Sequence, residues 1–232
     1  PMVLAARTPG VPVLVGRDRA LVGLRALSAF GADVVVLDDG FQHHRLQRDV
    51  DVVTLDGAFG FGNGRVLPRG PLREPIAALR YADAVGVIDG PLPAADALRV
   101  DREAPTAFRF AAARRPRALR PLAGGSVSRP QALAGREVGL LAALAQPAGF
   151  RRTLSALGAR VVAQRIFRDH HRYRPRDLRG LTREAPLWVT TEKDAVKIVP
   201  HWVGPADVRV LSIDLEVEEA PRFADWLESR LR

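Results

Sequence analysis

Four apolar residues, Val34-Val35-Val36-Leu37, run directly into two adjacent carboxylates and a glycine, Asp38-Asp39-Gly40. An apolar run of this length, bounded by turn residues, is the pattern of a strand buried on both faces of a parallel sheet. Open α/β sheets bind ligands at the carboxyl edge of their strands, so a strand at 34–37 would deliver its acids there. Paired acids at such an edge hold Mg2+ beside a nucleotide phosphate in P-loop enzymes. A strand followed by an Asp-Gly turn needs no ligand at all. On these residues alone both readings stand.

The rest of the chain narrows the class. Apolar runs alternate with helical periodicities, which predicts an α/β architecture with a largely parallel sheet. Strands are expected at 11–15, 34–37, 50–55, 84–88, 106–110, 137–144, 160–163, 187–190 and 208–213. A helix is expected at 17–30, with Leu21, Leu24 and Leu27 on one face and Gly31 as its stop. Further helices are expected at 72–81, 148–157, 176–182 and 220–231. The Gly- and Pro-rich segment 58–71 reads as a loop, functional at that length. The periodicity is weakest between 90 and 130. The chain is accordingly divided into 1–90 with the Asp-Asp-Gly motif, a linker or edge ribbon at 91–135, and a second, smaller α/β portion at 136–232.

Composition removes several functions. The chain has 232 residues, a net charge of +9 and no cysteine. Disulfides and thiolate metal sites are therefore excluded, which suits the cytosol. No run reaches the roughly 18 apolar residues of a membrane span. The positive charge points to an anionic partner. Its densest group, Arg109, Arg114, Arg115, Arg117 and Arg120, has no interleaved aromatic platform, so no nucleic-acid partner is expected. An anionic membrane surface remains, beside the alternative of a basic face that is merely solvated.

The Asp38-Asp39-Gly40-Phe41-Gln42-His43 motif is followed by Leu46-Gln47-Arg48-Asp49-Val50-Asp51-Val52-Val53, Gly62-Asn63-Gly64 and Leu67-Pro68-Arg69-Gly70-Pro71-Leu72-Arg73-Glu74-Pro75. Far downstream come Asp169-His170-His171 and Thr190-Thr191-Glu192-Lys193-Asp194-Ala195-Val196-Lys197. In this order and spacing the chain resembles the tetraacyldisaccharide 4′-kinases, from Pro1 nearly to the C-terminus. The resemblance implies a P-loop-NTPase-like, mostly parallel sheet with flanking helices. It implies ATP and Mg2+ as cofactors, and transfer of the γ-phosphate to the 4′ hydroxyl of an acylated glucosamine disaccharide 1-phosphate in lipid A synthesis. It also implies a cytoplasmic protein, peripheral at the cytoplasmic face of the Gram-negative inner membrane.

The same resemblance assigns roles. Asp38 and Asp39 would bind Mg2+, directly or through water. His170, with Asp169 orienting a ring, would take the proton of the sugar hydroxyl, a task suited to a group that titrates near neutrality. Without the resemblance His170 reads as a polar loop residue. Adjacent histidines on a strand face opposite ways, which argues against a shared metal. Thr191, Glu192, Lys193 and Asp194 sit at a strand's carboxyl end and would contact the nucleotide, or form a helix N-cap with acids in the first turn. Gln42, His43, Asn63, Arg73 and Glu74 would face the substrate, Arg73 through its phosphate-matching fork.

The chain also departs from the family. A P-loop needs a lysine after a Gly-rich turn. The two lysines here, Lys193 and Lys197, follow no such turn, so no P-loop residue is assigned. Pro1-Met2-Val3-Leu4 resembles the continuation of the family's Gly-Asp-Glu-Pro segment, whose Asp would partner His170. The expectation is a kinase without its N-terminal phosphate-binding part, marginally stable and with little transfer activity of its own. The rival expectation is a P-loop-less module that binds lipid or nucleotide without transferring phosphate. Arg69 replaces the family's usual alanine, and Ala142-Ala143-Leu144-Ala145-Gln146-Pro147 departs from a more glycine-rich strand-to-helix turn.

Overall fold

The computed structural model describes residues 1–144 and 147–231. The chain forms two compact units, Leu14–Arg114 with Leu215–Arg232, and Pro1–Val13 with Arg115–Asp214. The two longest strands are β3 (Phe108–Pro121) and β7 (Asp207–Val217).

The first unit holds β1 (Val52–Asp56), β2 (Ala84–Ile88) and the start of β3, with helices α2 (Arg19–Phe30), α3 (Ala94–Glu103) and α7 (Ala220–Leu231). β1, β2 and β3 are parallel neighbours, with Val52 opposite Ala84 and Ala84 opposite Phe108. α2 starts where the side chain of Asp18 accepts from the backbone N–H groups of Ala20 and Leu21, at 3.0 and 3.1 Å. It stops at Gly31, whose φ of 60° is the left-handed cap that glycine adopts without strain. The core gathers Phe61, Leu79, Val85 and Val100, with Val53, Leu55 and Ile76 packed against it. Phe223 and Trp226 of α7 pack on Phe108, the Trp226 ring stacked 4.8 Å away.

The second unit holds α1 (Met2–Arg7), β4 (Glu137–Ala143), α4 (Pro147–Ala156), β5 (Arg160–Phe167), α5 (Leu181–Glu184), β6 (Leu187–Thr191) and α6 (Glu192–Ala195). Its strands run in the order β7-β6-β4-β5, all parallel. β4 and β6 are apolar on both faces because both faces are covered: Leu140, Leu141, Leu187, Trp188 and Val189 have no exposed surface. Gly139 lies under the Trp188 ring, and a methyl group built there would sit 2.5 Å from it. β5 alternates half-buried and exposed residues along its whole length. The turn expected from 142 to 147 includes Ala145 and Gln146, which lie outside the described residues.

Several expected elements take another form. Residues 34–37 and 11–15 are not strands. Among the described residues no strand pairs with 34–37, and Val36 is 89% exposed. An apolar run becomes a strand only where a ladder satisfies its backbone. The predicted apolar face of α2 is likewise uncovered, with Leu21 64% exposed. The helix expected at 72–81 is a 3-10 turn at Ile76–Tyr81. The weakly patterned region after 90 contains α3 and fourteen-residue β3, which has β2 on one side and β7 on the other. It is therefore an interior strand, not an edge ribbon.

Candidate functional site

In the first unit, Asp38 and Asp39 lie on a tight turn just after the apolar run. Asp39 has φ 58°, a left-handed conformation that aspartate tolerates better than most residues. Its carboxylate pairs with the Arg73 guanidinium. One residue on, Glu74 accepts or shares a hydrogen bond with the His44 ring at 3.0 Å. The segment carrying Arg73 and Glu74 is thus fastened to the acidic turn by two polar contacts. Arg48 secures the turn from its other end, donating to the carbonyls of His43 and Leu46 at 2.8 and 3.0 Å and to Asp51 at 2.6 Å.

A cavity of about 490 Å³ opens against this turn, lined by Arg17, Arg19, Asp39, Gln42, His43 and Arg73. Gln42, His43, Asp39 and Arg73 were expected at a site and are brought together here. Arg17 and Arg19 were not. They flank Asp18, the cap of α2, where the helix dipole disfavours cations. Arg19 donates to the Gly16 carbonyl. Three guanidinium groups beside one carboxylate form a pocket whose net charge is positive and whose forks match phosphate oxygens.

Asn63 has a different local task. Its amide nitrogen donates to Arg69 O at 2.8 Å and its amide oxygen accepts from Arg65 N at 3.1 Å, closing the glycine-rich loop on itself. The same loop is held by buried Asp96 of α3, which accepts from Phe61 N at 3.0 Å.

In the second unit the Asp169-His170-His171 segment is a turn after β5. The two histidines have opposite fates. His171 stacks on Phe167 with ring centroids 4.4 Å apart and bonds Asp177 at 2.9 Å. That hydrogen bond holds the Asp177 carboxyl below the usual carboxylate range. His170 has φ 61° and a side chain 83% exposed, so its ring is open to a ligand. Asp169 accepts from His170 N at 2.9 Å and from Lys193 Nζ at 2.8 Å. The Lys193 ammonium, first among the causes, keeps Asp169 ionised further into acid than an ordinary aspartate.

The expected nucleotide-contact residues, Thr191 to Asp194, all have protein partners. Thr191 caps α6, its hydroxyl accepting from Asp194 N at 3.1 Å and donating to the Asp194 carboxylate at 2.8 Å. Glu192 takes the Arg7 guanidinium through both oxygens. Lys193 reaches Asp169. Asp194 is fully buried and accepts from Ala143 N, the last residue of β4, at 3.0 Å.

Metal and cofactor chemistry can be judged from the donor set. Among the described residues no three His, Asp or Glu side chains cluster tightly enough to hold a metal by themselves. Magnesium needs only one or two carboxylates when phosphate oxygens and water complete its shell. Asp39 lines the arginine-rich cavity, with Asp38 before it on the turn, so one or two carboxylates are available for that partial role.

The family model described as tetraacyldisaccharide-1-P 4′-kinase, LpxK, matches residues 1–232. The tetraacyldisaccharide 4′-kinase of Anaeromyxobacter dehalogenans strain 2CP-C is 44% identical, over all of this chain and 63% of its own length. That of Syntrophus aciditrophicus is 40% identical, over 96% of this chain and 64% of its own. The crystal structure of LpxK from Aquifex aeolicus in complex with ATP superposes with a TM-score of 0.69 at 26% identity, covering this whole chain and 68% of that one. The chain thus spans about 63% of the length of the first of these relatives. Its α/β fold is that of the P-loop-kinase-like LpxK structure, as the motif order implied. With the family model matching from end to end, the chain belongs to the tetraacyldisaccharide-1-P 4′-kinase family.

Proposed function

We propose that this chain carries the metal-, phosphate- and hydroxyl-handling residues of a tetraacyldisaccharide 4′-kinase, which transfers the ATP γ-phosphate to the 4′ hydroxyl of an acylated glucosamine disaccharide 1-phosphate. The observation that carries the reading is the cavity lined by Arg17, Arg19, Arg73 and Asp39, with Arg73 paired to Asp39. Asp38 and Asp39 would hold Mg2+, which when bound neutralises charge on the phosphates. The three arginines bind phosphate oxygens and offset the charge that builds on a transferred phosphoryl group. Gln42 and His43 line the same cavity and orient the substrate's polar groups. Asn63 and Glu74 act on the substrate through the loop and turn that they hold. His170, oriented by Asp169, accepts the proton of the attacking hydroxyl oxygen. A net charge of +9 suits attachment to an anionic inner-membrane surface. Among the described residues no helix is long and apolar enough to cross a membrane.

The test is transfer of labelled phosphate from Mg-ATP to the disaccharide 1-phosphate. Replacing His170 by Ala should lower kcat by about 10²-fold or more, the usual worth of a general base. Replacing Arg73 by Met should weaken Mg-ADP binding. Unchanged turnover in the His170 variant would reject the assignment.

One observation favours a second reading for the chain acting alone. Its two lysines are engaged with Asp169 and Asp194, and neither is available to a phosphate-cradling turn. Saturable binding of Mg-ADP or of the disaccharide with no transfer would then be the result.

A further inference from the structure

The residues from Thr191 to Asp194 do something that a nucleotide-contact role does not account for. Each side chain is spent on a different part of the second unit. Thr191 caps its own helix, Glu192 binds Arg7 of α1, and Asp194 binds the end of β4. Lys193 therefore projects from a base anchored at three places, and it reaches across 24 positions of sequence to Asp169.

Asp169 in turn has two tasks. Its Oδ1 accepts from both Lys193 Nζ and the backbone N–H of His170, while Oδ2 stands 3.6 Å from the His170 ring. His170 is in the left-handed region, at φ 61°. A non-glycine residue stays there only where its surroundings hold it. The hydrogen bond from His170 N to Asp169 is such a hold, and Lys193 fixes the carboxylate that makes it.

We infer that Lys193 is a positioning residue, holding the Asp169 carboxylate so that the His170 backbone is locked and its ring is presented, rather than a group that reads a nucleotide. The inference rests on His170 being the proton acceptor only for its functional meaning; the holding role itself is independent of the reaction. The charged groups around the turn are Lys193 from α6 and, on the turn, Asp169 and His170, with Arg168 and Arg172 flanking in sequence. His171 is committed to Asp177 instead.

Removing the Lys193 cation has a definite consequence. It leaves the Asp169 carboxylate without the cation that fixes it. It also frees Asp169 to move, so the His170 amide loses protection.

The experiment uses the whole chain with Lys193→Met and Lys193→Arg. The His170 backbone amide signal is followed by NMR, assigned with His170→Gln, and hydrogen exchange is read at the same amide. The expected result is a displaced His170 amide signal and faster amide exchange in Lys193→Met, both restored by Lys193→Arg, with Mg-ADP affinity unchanged within twofold. An unchanged His170 amide signal and exchange rate in Lys193→Met overturns the inference. So does a tenfold loss of Mg-ADP affinity with the His170 signals unmoved, which would make Lys193 a nucleotide contact. If instead the NMR effects appear but His170→Gln leaves phosphate transfer intact, the positioning role stands and the kinase assignment of His170 fails.

Discussion

Replacing Asp194 tests how the second unit is held together. Its carboxylate has no exposed surface and accepts from Ala143 N at 3.0 Å and from the Thr191 hydroxyl at 2.8 Å. In Asp194→Ala the Ala143 N–H is left buried without an acceptor, a loss of about 1–3 kcal/mol. The Thr191 hydroxyl loses its acceptor but still accepts from the backbone of residue 194, so most of the helix cap survives. Lys197 is a quarter exposed and turns to water, adding little. The sum is about 1–3 kcal/mol. Asp194→Asn keeps one carbonyl oxygen for Ala143 N and fills the same volume, so it should cost about 1 kcal/mol, the worth of one ordinary hydrogen bond. Urea unfolding followed by fluorescence, together with hydrogen exchange at the Ala143 amide, reads both variants. The alanine variant should unfold at distinctly lower urea and lose Ala143 protection, and the asparagine variant should do so weakly. If both variants unfold within about 1 kcal/mol of the parent and Ala143 stays protected, Asp194 is not the clamp described.

Two further outcomes follow from the packing and the charges. Gly139→Ala drives a methyl group into the Trp188 ring, and overpacking of this kind costs about 1–3 kcal/mol, readable as a lower urea midpoint. Arg117 and Arg7 hold Asp214 below the ordinary carboxylate range, Lys193 does so for Asp169, and Arg165 for Glu184. Because these folded-state pKa values are depressed, the stability they lend is complete above the ordinary value of about 4 and is lost as pH falls through the depressed ones. Urea midpoints measured against pH should therefore be flat near neutrality and fall below about pH 4, less steeply in high salt because most of these groups are partly exposed.

The sequence was most legible where one local cause decides the structure. β2, β4 and β6 are short apolar runs because both their faces are covered, and α2 is bounded by Asp18 and Gly31. It was least legible where the cause lies elsewhere in the chain. Residues 34–37 have the composition of a strand but no ladder partner among the described residues. β3 was obscured by its arginines, which are satisfied by distant acids: Arg114 by Asp56 and Asp89, Arg117 by Asp214. α3 buries little more than Val100 and Asp96, too few apolar positions to show a period. At the cavity, the motifs named four of the residues that line it, Asp39, Gln42, His43 and Arg73. The link from Lys193 to Asp169 joins segments that no local pattern relates. Arg17 and Arg19 were hidden by a helix start that Asp18 already explained.

Asp39 and His170, the residues proposed to handle metal and proton, share a left-handed backbone, at φ 58° and 61°. Glycine would relax that conformation, which costs an L-residue about 1–2 kcal/mol. The two positions that matter most to the proposed chemistry are thus ones where the fold by itself would favour having no side chain. A variant library sorted only for folded protein would drift toward glycine at 39 and 170. One sorted for phosphate transfer would hold both. The divergence between the two selections at these positions measures what chemistry demands beyond folding.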